Sequence, residues 1–419
     1  MTITKTGDSA PGLGGTFSHF GTASDPSSPG IKPAINDLGT VAFLGTSSTS
    51  ASGIYLGDGQ QLVTVAYTGQ SLAGSTISSL SFSGGTDRGS SSQFNNNGQL
   101  AYKAAFANGT TAIELFTPTL HFRSASSGAW TTRSNWTLGL LPASVHDVII
   151  DPAAALAITG PMLPTTVRSL ALNGSGANVA ELILQSTGTL TAPSGASTGL
   201  SGRLSGNGRL NADLASAGTI APGLLSSAGS ISVTGNVTLQ STAHLAFDLG
   251  GLTRKTGYDF FGVTGLLTLG GSLDVSLLGG FAPQVGNSFD LFDSATVAGN
   301  FASIHLPTLT GGLTWNTTQL PTTGVITVAG LTVTPTTYTL AASASAATIH
   351  AGGSSTITAT ITNTARPAPT RSTTPASACS PPPPAERSPA RLWPTPRSPT
   401  ITPNRAPRLS PAPLAAPTR

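Results

Sequence analysis

Large apolar residues fall at every second position in Leu245-Ala246-Phe247-Asp248-Leu249 and again in Leu273-Asp274-Val275-Ser276-Leu277. Side chains on a strand alternate between its two faces, so this period predicts strands with the aliphatics on one face and both aspartates on the other. Residues 230–277 read throughout as short alternations broken by Gly, Asn, Ser or Thr. That pattern predicts strand and turn with no helix. Short apolar segments of the same kind recur at 148–150, 156–158, 167–172, 182–184, 200–204, 219–220, 231–233 and 237–239, and on to 325–328. With few hairpin dipeptides between them, they predict coils stacked on one another as a solenoid over 147–330. At roughly 20 residues per coil, about nine coils spaced ~4.8 Å apart would make a rod about 40 Å long.

Before this solenoid the chain repeats itself. Thr6-Gly7-Asp8-Ser9-Ala10-Pro11-Gly12 returns as Thr68-Gly69-Gln70-Ser71-Leu72-Ala73-Gly74. Ile35-Asn36-Asp37-Leu38-Gly39-Thr40-Val41-Ala42-Phe43 returns as Phe94-Asn95-Asn96-Asn97-Gly98-Gln99-Leu100-Ala101-Tyr102, and Gly53-Ile54-Tyr55-Leu56 as Ala112-Ile113-Glu114-Leu115. The second and third anchors recur at one and the same offset, and the first at nearly that offset. Each copy has an Asn/Asp/Gly turn feeding strands, which predicts two tandem propeller-like β units over 1–117. Two units are too few to close a ring, since propellers use about four or more blades. The first copy begins almost at Met1, so the array is expected to extend upstream.

Residues 118–146 form a junction that holds both Trp130 and Trp136. Bulky aromatics are expected to cap a solenoid, whose terminal coil would otherwise expose apolar side chains and an open edge. A sugar-stacking platform is the alternative reading of the same pair. Residues 331–365 read as the start of an immunoglobulin-like sandwich, which needs about seven strands to complete. Residues 366–419 contain 16 of the 31 prolines, eight arginines and no Gly, Val or Phe. Such a segment is expected to be disordered. Its abrupt onset also fits a GC-rich gene read out of frame.

Composition narrows the function classes. Charged residues are 8% of the chain and glycines number 50, so polarity comes mainly from Ser, Thr, Asn and Gly. The net charge of +3 is divided unequally: residues 1–365 carry 11 Lys/Arg against 15 Asp/Glu, and residues 366–419 carry eight Arg against one Glu. The basic character therefore belongs to the tail, and no basic stripe with interleaved aromatics suggests nucleic-acid binding. Cys379 is the single cysteine, which excludes an intrachain disulfide or a multi-cysteine metal site. No run of about 18 apolar residues predicts a membrane span, and the first residues lack a signal-peptide core.

Candidate chemistry is sparse. Gly195-Ala196-Ser197-Thr198-Gly199 matches the G-x-S-x-G elbow, yet it lacks the strand-to-helix context and reads as coincidence in a Ser/Gly-rich chain. His19, His121, His146, His244, His305 and His350 are scattered, none at metal-ligand spacing. Asp248, Asp259, Asp274, Asp290 and Asp293 could pair as glycosidase carboxylates or bind a cation across neighbouring coils. Solvated, unaligned aspartates are the simpler reading. Sequons at Asn108, Asn135, Asn173, Asn236 and Asn316 are expected by chance at this Ser/Thr content. No catalytic, cofactor or metal residue is assigned from sequence.

Two resemblances sharpen the expectation. The two repeats of residues 1–117 resemble the I-N-D-x-G-x-V-A-F repeats of large exported bacterial proteins with C-terminal surface anchors. Residues 119–330 carry Gly206-Asn207-Gly208-Arg209-Leu210, residues 217–223, Ser230-Ile231-Ser232-Val233-Thr234-Gly235, residues 245–251, Tyr258-Asp259, residues 270–277 and Gly280-Phe281-Ala282-Pro283. Together these resemble autotransporter passenger-associated repeats. The resemblance implies a right-handed parallel β-helix acting as a secreted or cell-surface structural or adhesive element without catalytic activity. Its partners would be cell-surface glycans or other surface proteins. A carbohydrate-active β-helix enzyme and a glycan-binding module are the alternatives.

Overall fold

The alternation in sequence becomes strands whose large apolar side chains point one way: Leu245, Phe247 and Leu249 are buried, with Ala246 and Asp248 between them partly exposed. The computed structural model describes residues 1–21, 32–84, 92–330, 338–345, 348 and 351–363. It comprises two compact units, Met1–Thr332 and Val333–Arg419.

From residue 120 onward the chain visits three parallel sheets in rotation. Asp147–Ile150 lies in the first, Leu156–Thr159 in the second and Thr165–Thr166 in the third, after which Ser169–Leu172 returns to the first. The three sheets contain eight, eight and six strands. In the first, Leu120, Val148, Leu170, Ala196, Leu214, Val237, Leu267 and Val297 lie in one column. In the second, Ile158, Leu182, Leu204, Ile220, Leu245, Leu273 and Ile304 form another. Each buried aliphatic contributes about 1.5–3 kcal/mol, and the ladders satisfy the peptide groups between rungs. The arrangement is compatible with a β-helix.

Rung spacing differs from the expectation of uniform coils. Ala196 stacks on Leu214, whereas further along Val237 stacks on Leu267, so a later coil takes up far more chain than an earlier one. The longest sheets among the described residues therefore hold eight rungs, not nine. The extra residues lie in loops after the second sheet, such as the turn that brings Tyr258 back beside Leu249. The segment expected at 200–204 is likewise shifted: Leu200 is 72% exposed, and the strand is Gly202–Gly206.

Trp130 and Trp136 are buried against Phe122 at the first rung, and Trp136 Nε1 donates to the Trp130 carbonyl at 2.8 Å. Buried indoles cannot form a sugar-stacking platform. Ser288–Asp290, which precedes the last rungs in the chain, and Val325–Ala329 and Thr314–Asn316, which follow them, make a three-stranded antiparallel sheet that shares the core through Phe289, Ile326 and Val328.

The two sequence repeats form two antiparallel meanders. The first runs Phe17–Phe20, Val41–Ser47, Ser52–Gly57 and Leu62–Tyr67, with Ala34–Ile35 added beside Val41–Ser47. The second runs Ser71–Leu72, Ser75–Ser81, Leu100–Phe106 and Thr111–Phe116. Their facing side chains belong to one core continuous with that of the stack. In the other unit, Tyr338–Ala344 pairs antiparallel with Ile357–Asn363; two strands are expected from sequence within 347–363, and only the second lies there, the first preceding it. The expected disorder of residues 366–419 lies outside the described residues.

Candidate functional site

The second parallel sheet turns its polar positions outward, and the register of its last rungs brings together side chains far apart in sequence. Ala246, Asp274 and His305 stack in register, as do His244, Ser272 and Ser303. The Asp274 carboxylate is thereby held from both sides: Nδ1 of His244 lies 2.9 Å from Oδ2 and Nδ1 of His305 lies 2.6 Å from Oδ1. Ser272 donates to the same carboxylate at 2.8 Å. Burial pushes the Asp274 carboxyl up, but these hydrogen bonds outweigh it and hold the group below the usual carboxylate range.

This cluster corrects the reading of isolated histidines for His244 and His305. Ser272 and Asp274 both approach the Nδ1 side of His244, so the three do not form a nucleophilic relay, in which the serine and the acid meet opposite nitrogens. Among the described residues, no group of three His, Cys, Asp or Glu could hold a metal ion.

A second acidic group lies where the loop after the second sheet returns. Asp259 is 1% exposed, and its two oxygens accept from the backbone N–H of Gly229 at 2.7 Å and of Asp248 at 2.8 Å. Burial pushes its carboxyl up to about 7 against these two hydrogen bonds. Burial raises Asp248 as well. Both oxygens of Asp259 are occupied in bracing the loop. Beside it, an open cavity of about 410 Å³ is lined by Ser226, Thr256, Gly257, Leu278 and Phe281.

The third group is an ion pair that sequence reading missed. Arg254 reaches Asp290 at 2.6 Å and Asp293 at 2.9 Å, with its guanidinium 4.3 Å above the Phe260 ring. Burial and the Asp293 charge raise Asp290, and Arg254 opposes them. Nothing in the spacing of Arg254 and Asp290, which lie on different coils, announces this contact. Glu181 and Arg203 form a similar pair at 3.1 Å because they are register partners on adjacent rungs.

The five aspartates singled out from sequence thus occupy three separate settings, each with partners from a neighbouring coil or loop. Ser197 lies in Ala196–Thr198, a strand of the first sheet flanked by Ala171 and Ala215, with no helix after it. Its surroundings are a ladder, so the elbow motif is not realised. His121 lies 2.9 Å from Asp151, and His350 is outside the described residues. His146 is fully buried: Nδ1 accepts from Ala143 N–H at 3.0 Å and Nε2 donates to the Asn97 carbonyl at 2.7 Å. Burial lowers its pKa, the Asn97 bond opposing. Asn108, Asn135, Asn236 and Asn316 of the sequons hydrogen-bond nearby backbone through their side chains.

Residues 1–116 match a family of unknown function, DUF7453. The match ends with the second meander, before the parallel stack begins. No curated protein and no solved structure matches the chain. Among the described residues, no helix is long and apolar enough to cross a membrane.

Proposed function

We propose that this chain is a structural or adhesive element of a secreted or cell-surface protein, a right-handed parallel β-helix preceded by propeller-like β units, without catalytic activity. Parallel crossovers within one sheet are right-handed in about 98% of cases, which supports that hand for the coil. The resemblance to autotransporter passenger-associated repeats and to exported I-N-D-x-G-x-V-A-F repeats supports the location. Surface glycans or other surface proteins are the partners this reading implies.

The observation that carries the reading is how the carboxylates are engaged. Asp274 is spent on His244, His305 and Ser272, Asp259 on two backbone amides, and Asp290 and Asp293 on Arg254. Groups engaged in this way brace neighbouring rungs and loops rather than standing free toward a groove. A glycosidase needs two carboxyl groups about 5–10 Å apart, both free to face the sugar. The test is incubation of the full chain with pectin-like and other polysaccharides, with and without Ca²⁺. The expected outcome is no new reducing ends and no unsaturated products; chain cleavage lost in an Asp259→Asn variant would replace this reading with that of a carbohydrate-active enzyme.

A further inference from the structure

The two repeats have the same strands but not the same neighbours. In the first, Ala42, Leu44, Ile54 and Leu56 share one sheet face and are at most 4% exposed, covered by the facing side of the second meander. The offset between the copies places Ala101, Lys103, Ile113 and Leu115 at the equivalent positions of the second repeat, and there Ile113 is 75% and Leu115 64% exposed. The same face is a packed interface in one copy and bare in the other.

The backbone differs in the same way. In the first repeat Ser47 N–H donates to the Ala51 carbonyl, so the alternation of an antiparallel ladder turns the peptide groups of Ser52, Ile54 and Leu56 away from Val41–Ser47. The strand Leu62–Tyr67 lies on that edge. In the second repeat Phe106 N–H donates to the Thr110 carbonyl, which turns the peptide groups of Thr111, Ile113 and Leu115 outward by the same rule. No strand of the described residues pairs with that edge, because after Phe116 the chain passes to Leu120–His121 in the parallel stack. Thr111–Phe116 therefore has an open edge with Ile113 and Leu115 exposed on one face and neither Lys nor Pro within the strand, and the exposed Lys103 lies opposite Ile113 on the covered side of the strand.

We propose that this edge is a self-association surface: Thr111–Phe116 pairs antiparallel with the same strand of a second copy of the chain, about a two-fold axis at Ile113. A two-fold axis perpendicular to a sheet keeps like faces together, so it must lie between the two strands level with one residue, which then faces its own copy. Centred on Ile113, it makes Ile113 a hydrogen-bonded pair with its own copy and sets Thr111 against Leu115, using the peptide groups that point outward. Centred on Glu114, it would place two carboxylates directly opposite each other, a repulsive pair. The Ile113 register also lays the exposed Ile113 and Leu115 side chains of both copies on one face, where they cover each other.

The experiment is sedimentation velocity on the full chain across a range of concentrations, beside an Ile113→Lys/Leu115→Lys variant. The chain is expected to form a dimer and the variant to stay monomeric with an unchanged far-UV circular dichroism spectrum. A wild-type chain that is monomeric at every concentration, or that grows into open-ended assemblies, overturns the proposal. Register is tested separately with Ile113→Cys and Glu114→Cys, each in a Cys379→Ser background. Paired Cα atoms about 5.5 Å apart lie within disulfide range, so Ile113→Cys should yield a covalent dimer on mild oxidation. Efficient cross-linking through Glu114→Cys instead would overturn the register.

Discussion

Asn36 and Asn95, the same residue in two copies of one turn, touch: Asn36 Nδ2 donates to the Asn95 carbonyl at 3.2 Å. The following pair does the same, with Asn96 Nδ2 donating to Asp37 Oδ2 at 2.8 Å and Asp37 N–H to Asn96 Oδ1 at 3.0 Å. The two turns thus pack against each other. Asn36 also braces its own turn, its Oδ1 accepting from Leu38 and Thr40 N–H.

Asn36→Ala leaves the buried Thr40 N–H without its side-chain partner, and such a group costs about 1–3 kcal/mol. Asp37→Ala, at an exposed position, is expected to cost less than about 1 kcal/mol. Denaturant titration of the two variants against the parent chain checks the order.

His146 and Asp259 contribute to the pH dependence with opposite sign. His146 has a folded pKa below its ordinary 6.5, so its neutral form stabilises the fold above that value and the contribution is lost as pH falls below it. Asp259 has a folded pKa of about 7 against an ordinary 3.8, so the folded chain takes up a proton between those values and gains stability as pH falls through them. Asp259→Asn removes this gain and sets an amide N–H₂ against a backbone N–H. The deficit of the variant should widen from pH 8 to pH 5, as measured by chemical denaturation at each pH.

Asp274 behaves as an ordinary depressed carboxylate: its contribution is present above 3.8 and is lost as pH falls below that value. The cluster is largely solvated, so Asp274→Asn should cost no more than about 1 kcal/mol at pH 7. The difference between parent and variant in thermal melts should shrink from pH 7 to pH 3.

The core prediction is larger. Phe247 and Phe261 are at most 1% exposed, and Phe→Ala at such a site costs about 3–5 kcal/mol. Because stacked coils depend on nearest neighbours, hydrogen exchange should accelerate mainly in the rungs adjoining the variant site. Gly271, at φ 58° with its missing Cβ directed at the Ala243 carbonyl, should tolerate no side chain: Gly271→Val should destabilise the same region.

Much of this fold was legible because strand alternation is a local property. Leu245, Phe247 and Leu249 point inward and Asp248 outward, as their spacing requires. The internal repeat was legible too, since Asn36 and Asn95 head the same turn sequence in both copies. Register was not: which rung lies on Leu245 depends on loop length. The unequal steps from Ala196 to Leu214 and from Val237 to Leu267 hide the pairing of His244 with Ser272 and of Asp274 with His305. The sites followed the same division. Asp274 could be seen as outward from its strand, but its two histidines could not be assigned to it, and Asp259 gave no local sign of its burial under a returning loop.

The most direct test of the stacked-coil account is a set of methyl–methyl nuclear Overhauser contacts in protein labelled at Ile, Leu and Val. The account predicts contacts for Val148 with Leu170, Leu182 with Leu204, Leu214 with Val237 and Leu245 with Leu273. Cross-strand contacts that instead pair each strand antiparallel with the next in sequence, such as 147–150 with 156–159, would contradict it.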